Sequence, residues 1–348
     1  MAQQEITPAQ RMAYFNQSTR QNFHMMPTET GGASQTIQMQ LPKARLLSKI
    51  ILKVEAKVNA KHATKGSVKV NPHGLIRRIS LDLNNGFSPY TVTGYQAHLL
   101  NMLTVRAHAM EWLSPEEKNL IASASGTEND ISLIYELPVC MNERDTPQGL
   151  ILLQNAETNV TLSVDTGTGG DIILPTEDKT GFTTELVSVK IKAFTETFSI
   201  PAVQEAFPDL SILLLKNGVN HSFMGNGENT VKLATGTIYR KLILIFEDEN
   251  GLPLRPEDFT GPISLVFNQA DINYNISADM LFAYNTMMLN WDMPDGVYYF
   301  DFSTQGFPNF GGSRDMIDTE LLTSFELKFS TTKKGKVQVV SECVARVR

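Results

Sequence analysis

Three blocks from the first half of this 348-residue chain return, in the same order, in the second. Ser48-Lys49-Ile50-Ile51-Leu52-Lys53-Val54 is echoed 192 residues later by Arg240-Lys241-Leu242-Ile243-Leu244-Ile245-Phe246. Ile79-Ser80-Leu81-Asp82-Leu83-Asn84 reappears at an offset of 184 as Ile263-Ser264-Leu265-Val266-Phe267-Asn268. That match runs on without a gap, Tyr90 onto Tyr274, Val92 onto Ile276, Thr93 onto Ser277 and Asn101 onto Asn285. Val160, Leu162 and Val164 align more weakly with Phe325, Leu327 and Phe329. A period this long exceeds any solenoid repeat or propeller blade. It means one whole domain used twice, and the recurring elements read as strands.

The strand reading rests on alternation. Leu52, Val54, Ala56 and Val58 face one way while Lys53, Glu55 and Lys57 face the other, the period of a half-buried strand. Ile79 to Leu83, Ile131 to Leu137, Val160 to Val164 and Val187 to Ile191 alternate likewise, separated by turn residues such as Asn84-Asn85-Gly86 and Gly167-Thr168-Gly169-Gly170. In the second half, strands are expected at 231–233, 239–246, 263–267, 297–302, 325–329 and 337–344. Thr93-x-x-Gln96 caps a helix expected to reach about Met110, Ser114-Pro115-Glu116-Glu117 a second short one, and Ser277 the helix Ala278 to Leu289. Thr7-Pro8-Ala9-Gln10 is a further capping box, for a helix from Pro8 to about Phe23.

Gly31-Gly32-Ala33-Ser34 reads as a flexible link, so residues 1–42 are expected to form a helical arm that serves assembly and is dispensable for folding. Ile200-Pro201 to Pro208-Asp209 reads as a linker between domains at 43–200 and 201–348. Seven or eight strands with one early helix in each half predict an all-β chain. Each half fits a jelly roll or a related Greek-key sandwich, with a short helix in each and the N-terminal arm ahead of the first.

Charge separates the first stretch from the rest. Residues 1–78 carry a net charge of +9 and the remainder −16. Two readings stand together: Lys53, Lys57, Lys61, Lys65 and Lys69 are the wet face of a strand and its turn, or one end of the molecule meets an anionic surface. The interleaved aromatics and clustered arginines of a nucleic-acid reader are missing. No apolar run is long enough to span a bilayer as a helix, and Met1 to Pro8 lacks the apolar stretch of a signal peptide. An unexported chain is therefore expected, with Cys140 and Cys343 as thiols.

No chemistry announces itself. The six histidines are scattered; His98 and His108, ten apart on one expected helix, face different sides. No His-x-His, His-Glu-x-x-His or Cys-x-x-Cys spacing occurs, and Gly167-Thr168-Gly169-Gly170 lacks the Lys-Ser/Thr of a phosphate loop. The expectation is no catalytic residue, no cofactor and no metal. Rival readings are a two-jelly-roll glycan-cleaving amidase and a tandem carbohydrate-binding sandwich. The second would want exposed Trp platforms, and only Trp112 and Trp291 exist.

Several phrases resemble the major capsid protein of tectiviruses, tailless phages with a membrane beneath an icosahedral shell. They are Met1-Ala2-Gln3 with Thr7-Pro8-Ala9-Gln10; Leu52-Lys53-Val54 followed by His62-Ala63-Thr64; the strand at Ile79 leading to Asn84-Asn85-Gly86 and a helix; and Gly296-Val297-Tyr298-Tyr299-Phe300-Asp301-Phe302. The resemblance spans most of the chain in order, and the second half matches mainly by pattern. It implies an all-β double jelly roll, two eight-stranded sandwiches side by side, in a structural, non-enzymatic capsid protein of the virion, assembled in the host cytoplasm. Homotrimers would form pseudo-hexagonal capsomers in contact with neighbouring capsomers and minor capsid proteins. It also implies an N-terminal helix lying under the capsomer against the viral internal membrane. On that reading Arg11, Arg20, Lys43, Arg45 and Lys49 face lipid, and no nucleic acid is bound in a sequence-specific way.

Overall fold

The capping box at Thr7 closes as its sequence dictates. The Thr7 side chain accepts from the Gln10 amide at 3.3 Å, and Gln10 Oε1 accepts from the Thr7 amide at 3.0 Å. In the computed structural model the residues described are 7–64, 66–84, 86–103, 110, 112–141, 147–154, 157–177, 180–202, 206–303 and 316–346. The chain divides into two compact units, residues 1–214 with 346–348, and residues 215–345.

The first unit holds helix α1 (Pro8–Ser18), β1 (Gln21–Met25), β2 (Glu29–Gly31), β3 (Thr36–Gln40), β4 (Leu46–Lys61), β5 (Ser67–Val70), β6 (Ile76–Leu83), β7 (Phe87–Val92), α2 (Gly94–Met102), β8 (Lys118–Ile121), β9 (Thr127–Pro138), β10 (Ile151–Leu152), β11 (Val160–Thr166) and β12 (Thr183–Phe198). Strand β13 (Ile212–Phe223) carries the chain into the second unit. There follow β14 (Gly227–Lys232), β15 (Ile238–Asp248), β16 (Ile263–Phe267), β17 (Asp271–Ile276), α3 (Ala278–Leu289), β18 (Val297–Asp301), β19 (Ile317–Asp318), β20 (Phe325–Thr331) and β21 (Gly335–Arg346).

Eight strands in each unit, lettered B to I in chain order, build a jelly roll. In the first, B is split into β1 and β2, and both pair with β12; the order B-I-D-G is β1/β2, β12, β4, β9, all antiparallel. The facing order C-H-E-F is β3, β11, β6, β7. The second unit repeats both orders as β13-β21-β15-β18 and β14-β20-β16-β17. Four-on-four sheets with these connections are the jelly-roll topology.

The repeat holds to the residue. Leu81 stands opposite Tyr90 and Leu162, and Leu265 opposite Tyr274 and Leu327. Leu52 pairs with Tyr135 and Ala193, and Leu244 with Tyr298 and Val339. Both D–I pairings shift register at the same point, beside Lys49–Glu196 and Lys241–Glu342.

Three expectations are corrected. Helix α1 ends at Ser18, because Thr19 turns extended and residues 21–25 pair with β12. Residues 7–42 are thus no separate arm: they supply strands B and C of the first roll, and Phe15 packs edge-on against Phe198 at 5.5 Å in a cluster with Leu46, Cys140 and Leu150. The reading that this segment is dispensable for folding falls with it. No helix starts at Ser114, whose hydroxyl accepts from the Ile134 amide at 3.3 Å instead. Helix α2 is assigned to Met102, and His108 lies outside the described residues.

Candidate functional site

The search for chemistry begins with the buried polar groups. Cys140 and Cys343 are both buried thiols outside any disulfide, and burial pushes the Cys343 thiol up to about 12, which leaves it protonated and inert at neutral pH. Among the described residues no group of three or more His, Cys, Asp or Glu could hold a metal ion. Two surface depressions, of about 390 and 430 Å³, contain no histidine or cysteine; Asp82 and Ser163 line one, Asp248 and Lys334 the other. Trp112 is exposed and Trp291 half-buried, and they belong to different units.

Two of the buried polar elements are architectural and occur in both rolls. In the first roll Asn101 on α2 clamps the backbone of β9: its Nδ2 donates to the Glu136 carbonyl at 2.6 Å, and its Oδ1 accepts from the Glu136 amide at 2.9 Å. Asn285 on α3 does the same to Tyr299 on β18, at 2.8 and 2.9 Å. A fixed side chain thus satisfies a strand donor and acceptor that would otherwise be buried unmet. The second repeated element sets a D-strand lysine opposite an I-strand glutamate in register. Lys49 Nζ lies 2.7 Å from Glu136 and 3.5 Å from Glu196. The counterpart of Glu196, Glu342, is bonded by Lys216 at 3.2 Å and Arg240 at 2.7 Å, with Lys241 also acting on it. Burial alone would raise the Glu342 carboxyl, yet the three cations hold it at about 2. The sequence signals were present in the matched Lys49/Lys241 and Asn101/Asn285.

The basic segment looks different once folded. Lys53 pairs with Glu55 at 2.8 Å, Arg77 with Asp171 at 3.0 Å, Arg78 with Asp165 at 2.8 Å, and Lys57 and Lys69 with Glu128 and Glu117. Much of the excess positive charge is therefore met by acids later in the same roll. Lys49 also belongs to this class, which removes it from the lipid-facing set.

Arg11, Arg20, Lys43 and Arg45 lie elsewhere on the first roll. Arg20 exchanges hydrogen bonds with Ser199, its amide donating to the hydroxyl at 2.9 Å and its carbonyl accepting from the Ser199 amide at 2.9 Å. Phe198 is registered opposite Leu46, so Arg20 and Arg45 stand at one end of neighbouring strands. Arg11 sits on α1, anchored to that same end by Phe15 against Phe198 and Leu46. Lys43 lies in the turn just before. The acid acting near Arg11 is Asp209, whose carboxyl is held low first by the Ser211 hydroxyl and amide and further by Arg11 and Arg346. Tyr14, Phe23 and Met25 are exposed among these residues in sequence. Arg11, Arg20, Lys43 and Arg45 thus lie toward one end of the first roll.

No protein-family model and no curated protein matches this chain. Solved structures do. The major capsid protein of Sulfolobus Turreted Icosahedral Virus aligns over 94% of this chain and 97% of its own, with a TM-score of 0.70 and 14% identity. The PBCV-1 virus capsid model aligns over 94% of both chains at a TM-score of 0.65 and 8% identity. The major capsid protein of bacteriophage PM2 covers 94% of this chain and 98% of its own, at a TM-score of 0.56 and 11% identity. At these identities the likeness is one of fold, and it extends over nearly the whole of each chain.

Proposed function

We propose that this chain is a viral major capsid protein, structural and non-enzymatic, working in the shell of an icosahedral virion. One observation carries the reading: two complete B-I-D-G and C-H-E-F jelly rolls in a single chain, matched from end to end by capsid proteins of otherwise unrelated sequence. Duplication supplies a physical reason. Three copies of a two-roll chain present six similar rolls, so a homotrimer fills a six-coordinated lattice position while its halves diverge to meet different neighbours.

In this proposal the trimer is the capsomer, neighbouring capsomers and minor capsid proteins are its partners, and the shell encloses an internal membrane, as in the tectiviruses of tailless bacteriophage type. The cationic end at Arg11, Arg20, Lys43 and Arg45 faces that membrane, where each exposed cation contributes about 1 kcal/mol toward an anionic lipid surface. Native mass measurement of the purified chain tests the first part, with a trimer expected and a lone monomer at micromolar concentration contradicting it. Flotation with phosphatidylserine-containing vesicles tests the second. Binding should weaken with added salt and with R11A/R20A, while equal binding to neutral vesicles would count against the lipid-facing end.

A further inference from the structure

Where two copies of one fold differ at a buried position, the fold itself did not require the difference. One such position lies beneath α2. His98 on α2 and His73 in the short 3-10 turn Pro72–Leu75 stack ring on ring, with centroids 3.9 Å apart and planes 25° from parallel. Both are shut off from solvent. His73 Nδ1 and the Tyr135 hydroxyl of β9 share a 2.9 Å hydrogen bond. Among the described residues neither nitrogen of His98 nor His73 Nε2 makes a close hydrogen bond, and the backbone of Ser114 and Pro115 supports the His73 ring.

Among the described residues no carboxylate acts on either ring. Tyr135 and Tyr90 come from β9 and β7, the backbone of Ser114 and Pro115 lies alongside His73, and Tyr95 of α2 stacks over His98 at 6.5 Å with its hydroxyl donating to Glu116. On the other side of the Pro72–Leu75 turn, the Asp171 carboxylate is taken by Arg77 and the Thr168 amide. Burial is the largest influence on each ring: it carries His73 well below its ordinary value, with His98 lowering it further, and carries His98 to about 4. The contact is also close in the backbone. A Cβ on Gly94, the first residue of α2, would meet the His73 carbonyl at 2.5 Å, so the helix rests directly on the turn.

The second roll is the internal control. At the offset of 184 His98 corresponds to Phe282 and Gly94 to Ala278, while the matching D–G registers Leu52–Tyr135 and Leu244–Tyr298 equate Tyr135 with Tyr298. Phe282 packs on Tyr298 at 6.4 Å, and no histidine is present at this site.

We propose that His73 and His98 form an acid-sensitive latch on the first roll. Neutral, the stacked pair lets α2 close over the Pro72–Leu75 turn; a proton on either ring strands a cation among apolar neighbours and a second imidazole. Acid therefore opens this corner and leaves the second roll shut. The sign follows from linkage: the unfolded chain binds these protons near 6.5 and the folded one only lower. Stability from the neutral pair is complete above 6.5 and is lost as pH falls, for His98 through about 4. In a shell subunit this would tie acidification to loosening of the capsomer, a consequence that rests on the capsid reading as the latch itself does not.

Hydrogen exchange of the full chain, read by mass spectrometry between about pH 7.5 and 4.5 and corrected for intrinsic exchange rates, tests it. Peptides covering 72–75, 94–102 and 131–137 should lose protection as pH falls, while 278–289 and 297–301 stay level. Replacing His98 by the residue of the second roll, His98→Phe, should remove one proton from that dependence, about tenfold in the opening ratio per pH unit. Parallel loss of protection in both rolls, or an unchanged slope in His98→Phe, would overturn the latch. If His98→Phe does not fold, His98→Gln carries the same expectation, and the comparison between rolls in the unaltered chain decides independently.

Discussion

The two jelly rolls share every strand pairing that defines the fold and differ in what fills them. The second is packed with aromatic rings: Phe223, Phe246 and Phe329 meet edge to face, as do Tyr239 with Phe325 and Phe259 with Tyr298. The first relies on aliphatic residues such as Leu52, Val54, Leu133 and Leu162, with the histidine pair at one corner. Their shared lysine–glutamate element diverges too, half-open around Lys49 and closed around Glu342. Register, the asparagine clamp and the D–I ion pair have been kept, while core chemistry has drifted. Topology therefore rests on a few directional backbone contacts, and the apolar filling needs only the right volume.

Removing residues 7–31 should have the largest effect, because it takes Phe15 and strand B from the first roll. A thermal scan should then show the first roll no longer unfolding cooperatively while the second keeps its own transition. Retention of both transitions would restore the idea of a dispensable arm. Next comes Glu342→Gln, which leaves Lys216 and Arg240 without the carboxylate they share and should cost about 3–5 kcal/mol in denaturant unfolding. Glu342 has its folded pKa depressed, so its contribution is complete above 4.5 and fades as pH falls toward about 2.

Asn101→Ala and Asn285→Ala should each cost about 2–4 kcal/mol, since each leaves a buried strand amide and carbonyl unmet. Equal penalties, each confined to its own roll, would sharpen the equivalence; a negligible effect at one site would break it. The smallest change is expected from Glu196→Gln. Lys49 keeps Glu136 there, so the loss should be about 1 kcal/mol, well short of its counterpart Glu342→Gln.

The fold was legible where the repeat is dense. Ile79 and Ile263 announce strand E, and the offset of 184 carries without a break through strand F into both helices. Strand B of either roll and strand C of the first were not read, and in the first roll the reason is physical. B is broken into β1 and β2 around Pro27, while its counterpart β13 runs unbroken for 12 residues. C buries only Ile37 and Met39 among polar neighbours. The usable signal was the same 192-residue offset, which places Met39 on Val231 and Leu41 on Leu233. Leu41 and Leu233 donate equivalent backbone bonds, to Val160 and Phe325.

At the candidate site, sequence supplied the cations but not their partners. Lys49 looks like Arg20 in a count of charges, and only the neighbouring strands reveal that it meets Glu136 and Glu196. His73 and His98 sit on separate elements 25 residues apart, and nothing local hints that their rings stack.

The central claim, that one jelly roll is used twice in register, is tested most directly by paired cysteines on strands E and H. Ser80 stands opposite Ser163, and its counterpart Ser264 stands opposite Lys328. Directly opposed cross-strand side chains have Cβ atoms about 5 Å apart. The pairs S80C/S163C and S264C/K328C should therefore oxidise to a disulfide to the same extent, read by peptide mass mapping. Displaced controls, S80C/D165C and S264C/S330C, should stay reduced. Cross-linking in one roll without the other, or a displaced pair that links more readily, would contradict the account.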